Sequence, residues 1–255
     1  MTLNKVILPS AYNLVELDVV KSTNLTAKEL ASKGEATTPD GTLIWAHEQT
    51  EGRGRRGKGW SSPRGNLYIS LILRPETALS RSAQLSFVAA LSIYDALGNL
   101  GPPGHQVHCK WPNDILLNEK KVSGILLESE GTFGNEPADW IILGIGLNVM
   151  SYPQNSTFPS TSLNSEGWQT SIEEVLMAFS RSFLSWTNNW VENGFASIRE
   201  NWLWRSVGIG SIIHVKVDNQ VLEGIFEDID EDGALILNQS GKTRRITAGD
   251  LFFQN

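Results

Sequence analysis

Between residues 107 and 149 the chain passes through four apolar, strand-like segments, VHCKW, DILL, VSGILLES and WIILGIGLNV. The polar stretches between them are shorter than the dozen or so residues that a parallel crossover needs. Consecutive segments must therefore pair largely as hairpins, and a mixed, mostly antiparallel sheet is expected. LVELDVV (14–20), TLIWA (42–46) and NLYISLIL (66–73) add further strands. Helical spacing of apolar residues appears in STNLTAKELASKG (22–34), where Ser22 or Thr23 can cap the start and Gly34 the end. It recurs in LSFVAALSIYDAL (85–97), stopping at Gly98, and in two tryptophan-rich helices at roughly 171–191 and 195–205. Residues 47–65 and 151–170 are polar and loop-like. The fold class is α+β.

Composition shifts near Val207. Beyond it lie short strands, IIHVKV, VLEGIFED, ALIL and TRRIT, joined by DNQ, DEDG and QSG, which suit tight turns. Two domains are expected: residues 1–206, and a small SH3-like β-barrel at 207–255. That second unit holds eight acids against four bases, so its charge does not suit DNA.

The whole chain of 255 residues carries a net charge of −7, opposite to the sign of a general nucleic-acid binder. Its single cysteine, Cys109, excludes an internal disulfide and any multi-cysteine zinc site, and fits a reducing compartment. Cys109 itself reads as a small buried residue. No apolar stretch approaches the roughly 20 residues of a membrane span, and the start has no signal-peptide core. A cytoplasmic protein without a membrane partner is expected.

Against that acidic background one stretch stands out. From Gln49 to Gly65 there are five bases, Arg53, Arg55, Arg56, Lys58 and Arg64, and one acid, Glu51. Glycines at 52, 54, 57 and 59 alternate with the bases. Glycine lets backbone N–H groups come close to a ligand, and arginine presents forked donors to phosphate oxygens. GRGRRG satisfies the dinucleotide-binding pattern, but Trp60-Ser61-Ser62-Pro63 is a poor helix start. GRGRRGK nearly satisfies the P-loop pattern, but Gly59 stands where a hydroxyl should hold magnesium. The stretch reads instead as a loop that wraps a phosphoanhydride.

A second stretch is KWPND (110–114), a turn between two strands, followed seven residues after Asp114 by Lys121. A hairpin would bring the Lys121 ammonium back to the Asp114 carboxylate, a pairing suited to phosphate and magnesium chemistry.

STN (22–24), EQTEGRGRRGKGW (48–60), KWPND, Lys121 with GILLE (124–128), and GIGLNV (144–149) stand in the order and spacing of biotin protein ligases. With the C-terminal barrel, the chain resembles that family, in its monofunctional type without an N-terminal DNA-binding domain, since only 21 residues precede Ser22. The resemblance implies a class II synthetase-like catalytic fold. It also implies a two-step reaction. Biotin and ATP, with Mg²⁺ as part of the nucleotide complex and no tightly bound cofactor, give biotinyl-5′-AMP. A lysine of a biotin carboxyl carrier domain then takes the biotin.

By resemblance, Ser22, Thr23, Asn24 and Gln49 would hold the ureido head, with Gly52, Arg53, Gly54 and Gly124 around it. Plain helix capping is the alternative for the first three. Arg53, Arg55, Arg56, Lys58, Trp60, Lys121 and Asn148 would take ATP or the adenylate, with Trp60 stacking on adenine. Lys121 and Arg55 would be catalytic, Arg55 also retaining the adenylate. Asp114 is left as a magnesium ligand or as the group that receives the acceptor lysine. A monomer or weak homodimer without sequence-specific nucleic-acid binding is expected. The competing readings are a lipoate or octanoate ligase or transferase of the same fold, and an RNA-binding module.

Overall fold

A computed structural model describes residues 6–75, 79–130, 138–156 and 158–253. The main sheet takes its strands from β1 (Asn13–Val20), β2 (Thr42–Gln49), β3 (Leu67–Leu73), β4 (Val107–Lys110), β5 (Asp114–Leu117), β6 (Lys120–Glu130) and β7 (Trp140–Leu147). Their order is β1-β2-β3-β7-β6-β5-β4, and only β1 and β2 run parallel. The hairpin pairing expected from the short connections is therefore present from β4 to β7.

Successive side chains on a strand point to opposite faces, and here both faces are covered. On one, Leu43, Trp45, Ile69, Leu71 and Leu143 join a core with helices α3 (Leu85–Leu100) and α4 (Ile172–Arg205), to whose N-terminal side lies the short α2 (Leu79–Ser82). On the other, Ile44, Ile72 and Ile142 pack against Ala27 and Ala31 of α1 (Thr23–Ala31). This is why β3 is buried along its whole length.

Helix ends differ from the sequence expectation in two places. α1 stops at Ala31, with Gly34 following at φ 87°. α3 runs through Gly98 to Leu100, and the crowded glycine is Gly101, just past its end, where a Cβ would lie 2.5 Å from Trp168 Cη2. The two tryptophan-rich helices are the halves of α4, broken at Gly194 (φ 72°, ψ −172°). Ser171 and Glu174 form a reciprocal cap at its start. Cys109 is fully buried, and that burial pushes its thiol pKa up.

The second sheet is antiparallel throughout, in the order β11-β10-β9-β8-β12. It comprises β8 (Ile212–Val217), β9 (Gln220–Ile229), β10 (Leu235–Gln239), β11 (Lys242–Ile246) and β12 (Asp250–Phe253). The last of these has no counterpart among the expected strands. The Val207 N–H donates to the Cys109 carbonyl (2.9 Å), and the Trp111 Nε1–H donates to the Gly233 carbonyl (3.1 Å). These bonds seat the small sheet beside the β4–β5 turn. No described helix is long and apolar enough to cross a membrane.

Asn66 fixes where β7 leaves the sheet. Its Oδ1 accepts from the N–H groups of Val149 (2.8 Å), Met150 (2.9 Å) and Ser151 (3.1 Å), and it is 1% exposed. Asn66→Ala leaves the buried Val149 N–H and the half-buried Ser151 N–H without an acceptor, the Met150 N–H keeping the Gly65 carbonyl (3.1 Å), and is expected to cost about 2 kcal/mol. Urea unfolding of the variant measures this.

Candidate active site

The glycine–arginine stretch is an ordered flap. The Trp60 N–H donates to the Gly52 carbonyl (2.9 Å) and the Gly54 N–H to the Lys58 carbonyl (2.7 Å), so its two arms run back to back. The tip turns at Arg56 (φ 54°) and Gly57 (φ 72°). Gly52 admits no side chain, since a Cβ would lie 2.2 Å from the Trp60 carbonyl and 2.3 Å from Ser62 Oγ.

The flap lies over the α1-covered face of the sheet. Across that face Gly146, Gly124 and Asp114 are register partners on β7, β6 and β5, and Gly144 stands two residues back. The Trp60 indole rests on this glycine floor: a Cβ on Gly146 would lie 2.4 Å from its Nε1, and one on Gly124 3.0 Å from its Cζ3.

Lys121 reaches the same face through an irregularity in β6. It stands three positions before Gly124, an odd offset that in a regular strand would put them on opposite faces. Ile115 pairs with Ser123 and Leu116 with Lys121, so Val122 is an extra residue and the alternation resets. The Lys121 ammonium then lies 2.5 Å from Asp114 Oδ1. The neighbouring segment holds its backbone: the Lys121 N–H donates to the Pro159 carbonyl (2.8 Å), and the Thr161 N–H to the Lys121 carbonyl (2.9 Å). On the other side of the turn, Arg55 Nη1 donates to Asn113 Oδ1 (3.2 Å), and Asn113 Nδ2 to the Ile125 carbonyl (2.6 Å). Arg55 and Lys121 thus converge on adjacent residues of one turn.

Between flap, sheet and turn lies a cavity of about 540 Å³. Ser22, Thr23, Asn24, Gln49, Arg53, Gly54, Arg55, Lys58, Trp60, Asp114, Lys121, Gly124 and Asn148 all line it. Two of the residues singled out from the sequence do not. Gly52 sits behind the flap as its hinge, and Arg56 points away, 3.9 Å from Asp218 of the small sheet.

The STN residues are not spent on capping. Ser22 occupies the N-cap without a side-chain cap bond. The Thr23 N–H and Oγ1–H donate to Gln49 Oε1 (2.8 and 3.1 Å), and Gln49 Nε2 donates to Ser62 Oγ (2.8 Å). Ser70 Oγ bonds to both Thr23 and Asn24, while Asn24 Nδ2 donates to Glu128 Oε2 (2.7 Å), whose other oxygen is 3.3 Å from Arg53.

Sequence reasoning missed part of the lining. Lys110, Phe158, Asp250 and Phe252 are there too. Lys58 Nζ is 2.8 Å from Asp250 Oδ2. Burial works against the Asp250 carboxylate, but the Lys58 hydrogen bond and the charges of Lys58, Arg56 and Arg55 hold its pKa below the usual range. Burial, then the neighbouring Arg56, lowers the Arg55 pKa. In all, five cations and two carboxylates border the cavity, a net +3 in a chain of net −7. Asp114 does not fit a protein-held magnesium: its carboxylate faces Lys121, and no group of three His, Cys, Asp or Glu among the described residues could hold a metal ion.

A family profile described as "Biotin/lipoate A/B protein ligase family" matches residues 21–204, and one described as "Biotin protein ligase C terminal domain" matches residues 208–254. The chain belongs to the biotin/lipoate protein ligase family. A biotin–[acetyl-CoA-carboxylase] ligase of Paracoccus denitrificans is 41% identical, covering 82% of this chain and 89% of that protein. A ligase of the same name from Mycobacterium tuberculosis is 30% identical, covering 92% and 88%. Among solved structures, a biotin protein ligase from Aquifex aeolicus in complex with biotin and ATP superposes with a TM-score of 0.77 at 27% identity, over 94% of this chain and 97% of that one.

Gly144 tests the geometry of the floor. A Cβ there would lie 2.1 Å from Asn24 Oδ1. Gly144→Ala is expected to cost about 1–3 kcal/mol by prising Asn24 from Ser70 and Glu128. In a double-mutant cycle with Asn24→Ala, urea unfolding should show a combined cost smaller than the sum.

Proposed function

We propose that this chain is a biotin protein ligase. It joins biotin to ATP as biotinyl-5′-AMP with release of pyrophosphate, then passes biotin to a lysine of a biotin carboxyl carrier domain. The observation that carries this is the convergence of Arg55 and Lys121 on the Asn113–Asp114 turn within one cavity. Residues 1–206 form the catalytic unit and 207–255 the small barrel.

Adenylation brings a carboxylate against a triphosphate, so its barrier is set by charge neutralisation and alignment. Lys121 lines the cavity beside Asp114 and can bridge the biotin carboxyl and the α-phosphate, exchanging Asp114 for these partners. Asp114, freed of that contact, faces the incoming acceptor lysine. Arg53, Arg55 and Lys58 supply further donors from the flap. Magnesium enters with the nucleotide, as part of the substrate. Trp60 offers a ring face to adenine beside Asn148, and the flap excludes water from the reactive anhydride.

Ser22, Thr23, Asn24 and Gln49 give the cavity hydroxyl and amide groups matched to the ureido head of biotin, next to the apolar Ile145 and Leu126. A lipoate or octanoate chain has no polar head for those groups. The named relatives, all biotin ligases, support the same choice.

Biotin-dependent exchange of labelled pyrophosphate into ATP tests the activity. Lys121→Ala is expected to lower that exchange about 10²–10³-fold. Arg55→Gly is expected to release biotinyl-5′-AMP roughly 10-fold faster or more, the equivalent of one charge-assisted contact, as read by adenylate dissociation.

A further inference from the structure

We propose, on the strength of that reading of the cavity, that Glu166 is a positioning residue for adenylation: its carboxylate ties the β5–β6 turn to the segment that clamps the Lys121 backbone, and so fixes where the Lys121 ammonium is delivered. Glu166 does not itself line the cavity, and its side chain is 12% exposed. Donors from two parts of the chain meet on it. Thr161 Oγ1–H (2.6 Å) and Lys120 Nζ (3.2 Å) donate to Oε1, and Asn118 Nδ2 (2.8 Å) donates to Oε2. Burial works against the charge of this carboxylate, but the hydrogen bonds from Thr161, Asn118 and Lys120 hold its pKa below the usual range. Bonds to a charged acceptor are roughly twice as strong as neutral ones.

The need for such a tie comes from the sheet. The pairing of β7 with β6 ends where Leu147 faces Ser123. Beyond that point the segment 159–161 takes the place of a strand, bridging Lys121 in parallel at Ser160 and bonding its backbone on both sides. The same segment fixes Asn148, whose Nδ2 donates to the Thr161 carbonyl (3.0 Å). It belongs to no regular ladder, so it must be held from elsewhere. A single turn of helix, Asn164–Glu166, ends at Gly167 (φ 83°) and brings the Glu166 carboxylate back to Thr161. Across from it, Asn118 (φ 49°) and Glu119 (φ 66°) make the β5–β6 turn in left-handed conformations that are strained for residues with a side chain. The Asn118 side chain is held in place between Glu166 and the Gln106 N–H, which donates to its Oδ1 (3.0 Å).

The Lys121 ammonium is steadied by Asp114, and in the reaction it gives up that contact for the biotin carboxyl and the α-phosphate. From then on its flexible stem joins it only to its own backbone, and the backbone clamp sets how accurately it is placed. Misplacing an aligned group by a fraction of an ångström lowers rate more than affinity, because alignment counts most in the transition state. Glu166 does not border the space the substrates fill, so the loss of its charge should appear in kcat and not in KM.

The test uses the full chain and reads biotin-dependent pyrophosphate–ATP exchange, with each variant made both in the unmodified chain and in Lys121→Ala. Glu166→Gln keeps the shape and loses the charge. It is expected to lower kcat for exchange about 10-fold, with KM for biotin and for ATP within about threefold of the unmodified values. In the Lys121→Ala chain the same change should lower the residual rate by less than about twofold, since Glu166 acts through Lys121. Thr161→Val removes one donor to the carboxylate, and should lower kcat about threefold without adding to the effect of Glu166→Gln. It carries the test alone where Glu166→Gln does not fold. Unchanged kcat in either folded variant, a rise in KM alone, or an equal fall with and without Lys121 overturns the positioning role of Glu166. Absence of biotin-dependent exchange in the unmodified chain overturns the reading of the cavity itself.

Discussion

Repulsion between like charges governs this cavity. Five cationic side chains are held around about 540 Å³ of space with only two carboxylates among them. Left to themselves they would spread into solvent, as surface lysines and arginines do. The scaffold prevents this by giving each a different anchor: Arg55 an amide, Arg53 and Lys58 single carboxylates, Lys121 the acid of its own hairpin, and Lys110 a set of aromatic faces. The anchors are weak enough in number to be exchanged for a ligand, and rigid enough to hold the charges in place beforehand.

The sheet makes room for that concentration of charge. Gly124, Gly144 and Gly146 strip one patch of its side chains, and Trp60 and Asn24 lie directly against the bared backbone. The extra residue at Val122 turns Lys121 onto the same patch. The amides and hydroxyls of the buried Asn24, Ser70 and Thr23 and the half-buried Gln49 then link the polar wall of the cavity to the flap, ending at the ion pair between Glu128 and Arg53. The fold thus joins the two halves of the site through one connected set of hydrogen bonds.

Much of this was legible in the sequence, because it is encoded locally. The apolar runs of β2, β3 and β7 are buried on both faces and read as strands without ambiguity. The close spacing of β4, β5 and β6 dictated hairpins, and the alternation of glycine and arginine marked the flap. What escaped notice depends on distant pairing. β12 is four residues long, and only its place beside β8 makes it a strand and brings Asp250 to Lys58. Arg56 belongs to the flap in sequence, but the left-handed turn at that residue sends its side chain toward Asp218. The Lys110 environment comes from Phe158 and Phe252, 48 and 142 residues further along, and no local pattern announces it.

The bond from the Trp111 indole to the Gly233 carbonyl has a practical corollary. It clamps the small sheet to the very turn on which Arg55 and Lys121 meet, and β12 supplies a side of the cavity. Severing the chain near Val207 would therefore open one flank of the pocket to solvent and strand an indole N–H at a newly bared apolar seam. The β-barrel is better regarded as masonry of the active centre than as an appended module, and the two segments should be expressed and engineered as one piece.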